Sequence, residues 1–129
     1  MASWDDLVVF VRVRYEVMAQ DGESLTFRLP TTDGRDQLVY VHHKGAVHGM
    51  DWIQIESPVA PLDAVDLRTL LQRVEGVVVG GVAAVGDVAV LRHALPLEDL
   101  SAAEFEGPFR LVTAAADELE QALTGADRY

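Results

Sequence analysis

The 129-residue chain contains no cysteine, so histidine, serine and carboxylate lead its candidates for reaction chemistry. That absence removes disulfides, thiolate nucleophiles and cysteine-built zinc sites, and nothing argues for an oxidising compartment. His42, His43 and His48 are the first metal suspects. If Gln37–His42 is a strand that runs on by one residue, His42 and His43 point to opposite faces and cannot share an ion without a bulge. No HxxxH or HExxH spacing completes a ligand set, so these read as strand-end and turn histidines. His93, beside Arg92 in an apolar run, reads as a strand residue facing solvent or a hydrogen-bond partner.

None of Ser3, Ser24, Ser57 and Ser101 lies in G-x-S-x-G. Ser57 precedes Pro58 at a strand end, and Ser101 is better used as a helix cap. Among 21 acidic residues, the close pairs Asp33/Asp36, Glu98/Asp99 and Glu118/Glu120 read as solvated turns and helix faces. Gly80-Gly81-Val82-Ala83-Ala84-Val85-Gly86 lacks the Lys-Ser/Thr of a phosphate loop, and strand residues follow it where a helix should. Close backbone approach or a bulge explains those glycines better. No Asp-x-Asp-x-Asp-Gly calcium loop is present. The expectation is a protein with no catalytic residues, no metal and no cofactor. Trp4 and Trp52 could anchor a protein partner, with burial in the core as the competing role for both.

Formal net charge is −11, with ten basic residues spread along the chain, nine of them arginine. An acidic field opposes a polyanion, and binding one needs a basic patch for counterion release; a local basic face stays open, but nucleic acid is not an expected partner. Met1-Ala2-Ser3-Trp4-Asp5-Asp6 places acids where a signal peptide needs positive charge. The longest apolar run, residues 77–85, falls well short of a membrane span. These features predict a cytoplasmic protein with no membrane partner.

Half the residues are apolar, which suits one globular domain over residues 1–129 burying roughly two thirds of its unfolded surface. Trp4, Leu7, Val8, Val11 and Tyr15 follow helical spacing, and Ser3 is a plausible N-cap. Val9, Val11, Val13, Tyr15 and Val17 also alternate as a strand would. Residues 3–13 are expected to be helical, with the chain extended from near Tyr15. Ser24–Leu29, Gln37–His42 and Met50–Glu56 then read as an antiparallel meander. Asp63–Glu75 reads as a helix with an apolar stripe of Leu67, Leu70, Leu71 and Val74. Residues 77–85 and Val88–Leu95 flank a Gly86-Asp87 hairpin turn, and the first of them, apolar on both faces, reads as a central strand. Ser101-Ala102-Ala103-Glu104 is a capping box opening a last helix to Gly125, which Pro108 should kink or split. The order α-βββ-α-ββ-α specifies an α+β fold, an antiparallel sheet with flanking helices.

From Leu38 onward the order of elements resembles the YbjN-like family of bacterial proteins, often labelled sensory transduction regulators. The matching stretches are Trp52-Ile53-Gln54-Ile55-Glu56-Ser57-Pro58-Val59, Gly80-Gly81-Val82-Ala83 with Gly86-Asp87, and Leu91-Arg92-His93-Ala94-Leu95-Pro96-Leu97. A final helix carrying Ala114-Ala115-Ala116-Asp117-Glu118-Leu119 completes the set. The resemblance covers roughly residues 24–125 and is carried by the ordered set, not by any one stretch. It implies a type III secretion chaperone-like fold, a homodimer, no known catalytic residue, and a role in holding or regulating a partner protein. The expected function is therefore that of a non-enzymatic protein-binding module, chaperone-like or regulatory. The alternative is a small-ligand-binding protein or enzyme with an unrecognised pocket.

Overall fold

A computed structural model describes residues 1–129. The chain begins with helix α1 (Trp4–Arg14), capped by Ser3, whose side chain accepts from the Asp6 N–H at 3.1 Å. Asp5 and Asp6 in the first turn and Arg12 and Arg14 in the last oppose the helix dipole favourably. Trp4, Leu7 and Val11 are buried, while Val9 and Val13 face solvent. Those two exposed valines produced the strand-like alternation; helical spacing decides the buried set.

The chain then enters the sheet. Strands β1 (Ala19–Gln20), β2 (Ser24–Pro30), β3 (Asp36–Val47) and β4 (Met50–Pro61) run as a meander. β3 and β4 are 12 residues each, longer than the alternating apolar patterns suggested. β4 runs through both Pro58 and Pro61, where a bulge between Pro58 and Ala60 disrupts its pairing. A 3₁₀ turn (Leu62–Ala64) and helix α2 (Leu67–Val74) follow, then β5 (Gly81–Val85), β6 (Val88–Pro96) and the long helix α3 (Ala102–Thr124). All strands pair antiparallel, in the order β1-β2-β3-β4-β6-β5. The expected α+β class and element order hold, with the two-residue β1 added.

Three expectations are corrected. The mid-chain helix starts at Asp66, not near Asp63: the Asp66 side chain accepts from the Thr69 N–H at 3.0 Å and takes the N-cap. Of its apolar stripe only Leu70 is buried; Leu67 and Leu71 face solvent. The strand of residues 77–85 is shorter than expected and lies at the sheet edge, because β6, not β5, pairs with β4. Pro108 does not split the last helix. Gly107 before it has no Cβ for the proline ring to strike, which relieves the clash that usually pushes the residue before a proline out of the helical region.

All three helices lie on one face of the sheet. Their core joins Leu7 and Val11 of α1, Leu70 of α2, and Phe105, Phe109, Val112 and Ala116 of α3 to inward residues of the strands. Phe109 sits at its centre, with ring centroids of Tyr15, Phe27 and Phe105 at 5.1–5.2 Å. Gly80 marks where the chain joins the sheet beside β6. A Cβ there would lie 2.4 Å from the Arg92 carbonyl oxygen, so the chain passes β6 at a distance only glycine allows. The close-approach reading of this glycine run holds at that position. No helix is long and apolar enough to cross a membrane.

Candidate functional site

Antiparallel pairing places directly opposed residues on the same face. From β2 through β6, the face without helices therefore presents Ser24, Thr26 and Arg28; Leu38, Tyr40 and His42; Trp52, Gln54, Glu56 and Pro58; and Val88, Val90 and Arg92. Met50 and Val47 face each other at its far end, 40% and 47% exposed. At the opposite end a concavity of about 360 Å³ is lined by Leu38, Tyr40, Pro58, Val88, Val90 and Tyr129 among others, with His42 and Glu56 at its polar side.

The two histidines diverge as strand geometry demands. His43 turns to the helix side, where its ring stacks on Trp4 at 5.3 Å and its Nε2 lies 2.8 Å from Asp51. His42 is on the bare face, stacked on Tyr40 at 5.8 Å. Its Nδ1 is 2.8 Å from Ser24 Oγ, and its Nε2 is 3.6 Å from Glu56. The His42 ring holds the Glu56 carboxyl below its usual range, against the opposing effect of burial. The ionised carboxylate favours the proton on Nε2, which leaves Nδ1 to accept from the Ser24 hydroxyl. Serine, imidazole and carboxylate thus form a row across three strands. No local motif connects residues 24, 42 and 56; the signal lay only in the register of β2, β3 and β4.

A second cluster closes the other end of the sheet. Arg35, in the β2–β3 turn, lies 3.0 Å from Asp117, 3.8 Å from Glu120 and 3.7 Å from Asp127. Its guanidinium also donates to the Ala126 carbonyl at 2.7 Å. Hydrogen bonding to the Asp117 carboxylate raises the pKa of Arg35, and burial raises that of Glu120. Asp117, Glu120 and Asp127 are close enough to hold a metal ion, but the guanidinium of Arg35 stands among them as their cation. Glu120 is 1% exposed, so the reading of Glu118/Glu120 as a solvated pair holds for exposed Glu118 and fails for Glu120. Helix spacing puts residues two apart on different faces, which the pair reading overlooked.

The remaining candidates scatter. Ser3 and Ser101 are caps, the latter in a complete capping box. Ser57 is buried and donates to the Leu38 carbonyl. His48 and Asp33 hold positive-φ turn positions. Asp36 pairs with Arg28 at 2.7 Å, and Glu98 and Asp99 are exposed. His93 is half-buried on the helix side of β6, opposite Ile55, so its outward-facing reading is corrected. The two tryptophans also part. Trp4 is 8% exposed and belongs to the core, which removes it as a surface anchor. Trp52 is half-buried on the bare face, its Nε1 donating to the Val47 carbonyl at 3.2 Å.

No family model and no curated protein matches the chain. The functional reading rests on the bare face, its Trp52 end and its concave end.

Proposed function

We propose that this chain is a non-enzymatic protein-binding module that acts as a homodimer, chaperone-like or regulatory in role. The observation that carries the reading is the helix-free sheet face, with Val47, Met50 and Trp52 grouped at one end. Antiparallel sheets do tolerate one solvated face, but that face is then polar by alternation. Here Leu38, Tyr40, Pro58, Val88 and Val90 break the polar pattern.

Charge selects a second copy as the occupant of the Trp52 end. Chains carrying −11 repel one another through most approaches. The bare face instead sets Arg28, Lys44 and Arg92 against Asp36 and Glu56, and can approach its own image with little net repulsion. A two-fold contact there would put Met50 and Trp52 against their symmetry mates. The resemblance to YbjN-like proteins and their secretion chaperone-like fold is in keeping with this reading, and a cytoplasmic location with it.

Light scattering on the eluting protein tests it. The expected mass is twice the 14.1 kDa chain mass, returning to that of one chain in Met50→Asp. A native mass of one chain at all concentrations would sink the dimer.

The Ser24–His42–Glu56 row favours a second reading, a hydrolase acting through Ser24. A fluorophosphonate probe decides it: adduct on Ser24, lost in His42→Ala, supports hydrolysis, and an unmodified protein rejects it.

A further inference from the structure

The seam between β3 and β4 shows a device for reading another chain's backbone. β3 and β4 pair from Tyr40 and Glu56 to the Val47–Met50 turn. Before Tyr40, β3 pairs only with β2; beyond Ser57, β4 pairs only with β6. The two strands therefore part. Gln37 bridges the gap on the helix side, its Nε2 donating to Ser57 Oγ at 2.9 Å and to the Pro58 carbonyl at 2.7 Å.

Residues 126–129 lie in that gap. The Leu38 N–H donates to the backbone oxygen of Tyr129 at 2.9 Å, and Arg28 donates to the same oxygen at 2.8 Å. Arg35 donates to the Ala126 carbonyl at 2.7 Å. Glu120 accepts from the Arg128 and Tyr129 N–H groups at 2.9 and 3.3 Å. All five of these contacts end on main-chain atoms of the strap, and its side chains add to them, with Tyr129 lining the concavity. Asp127 adds a longer ion pair to Arg35, at 3.7 Å.

The strap has the marks of a displaceable occupant. It forms no helix or strand, and Ala126, Asp127 and Arg128 are exposed. It swings from Gly125, whose φ of +70° ends α3. Tyr129 lines the concavity together with Leu38, Tyr40, Pro58, Val88 and Val90.

We propose that the β3–β4 seam is a peptide-binding groove that residues 126–129 fill in cis. A partner protein's extended segment, with a branched or aromatic side chain for the concavity, binds by displacing them. Recognition is by main-chain hydrogen bonds with one apolar pocket, as in strand addition to a sheet. The inference rests on the protein-binding reading but not on the dimer. Met50 lies eight residues along β4 from Pro58, roughly 26 Å at 3.3 Å per residue.

The test uses the full chain and a fluorescein-labelled peptide of the sequence of residues 124–129, followed by fluorescence polarisation. Asp127→Ala/Tyr129→Ala weakens the strap in cis and leaves Leu38, Arg28, Arg35 and Glu120 in place. The expected result is binding at least about tenfold tighter than to the native chain, lost again when Arg28→Ala is added. Hydrogen exchange is read on the same variant, where the Arg128 and Tyr129 amides should exchange faster. Freed amides without peptide binding would overturn the groove. Amides that stay protected would overturn the displacement, because the strap would then be fixed structure. A monomeric mass with intact peptide binding refutes the dimer alone; a dimer that binds no peptide refutes the groove alone.

Discussion

Single side chains fix two properties of this molecule that can be measured directly. At Gly80 the Arg92 carbonyl leaves no room for a Cβ, and φ is +78°. Gly80→Ala must move the backbone off β6 or strain it, and should cost about 1–3 kcal/mol in urea unfolding. Gly81→Ala, with nothing near its Cβ position, should cost far less. Two glutamates pull the pH dependence in opposite directions. Glu56 titrates below its ordinary value of 4.5, so it adds stability above that pH, which is lost as pH falls through its folded pKa. Glu120 titrates above 4.5, so its contribution is present below that pH and is lost as pH rises through its folded pKa. Urea midpoints across this acidic range should respond oppositely. Glu56→Gln removes the rise in stability with pH, and Glu120→Gln removes the fall above it. Curves that respond identically would show that the two carboxyls are not held as described.

At the scale of elements, α3 carries both a strong start and a weak interior. Ser101→Ala removes the side-chain arm of the capping box, leaving the residue-101 N–H to donate to Glu104, and should destabilise by about 1 kcal/mol. Gly107→Ala meets open space, so propensity alone predicts a gain of up to about 1 kcal/mol, offset by its clash with the Pro108 ring. A net loss in thermal unfolding would show that Gly107 is what lets α3 pass Pro108 unbroken. The ends of α1 and α3 were legible in the sequence because caps are local: Ser3, Ser101 and Gly125 all act within a turn. Strand rank was not. Val82 faces the core and Val85 the bare side, so β5 looked central although only β6 pairs with it. Apolar content on both sides does not report which neighbours a strand has. The Ser24–His42–Glu56 row and the Arg35 cluster were hidden for the same reason. Both join residues brought together only by register or by the packing of α3 on the β2–β3 turn.

For the whole molecule, two surfaces of different character share one sheet. The apolar Trp52 end and the strap-filled seam sit at opposite ends of the bare face, so self-association and partner binding are separable by mutation. If the second copy binds as proposed, thermal midpoints should rise with protein concentration, and Met50→Asp should abolish that dependence. A midpoint independent of concentration in the native chain argues against coupled folding and association.

The sheet also has two margins. One is blunted by β1, only two residues long. The other is β5, five residues without a charge, its outer hydrogen-bonding groups facing no further strand. Such a margin is a template on which a like segment can stack without limit, and it lacks the lysine or proline that usually guards one. Fibre growth on heating should begin there, and Ala84→Lys should delay thioflavin-positive assembly without touching the bare face.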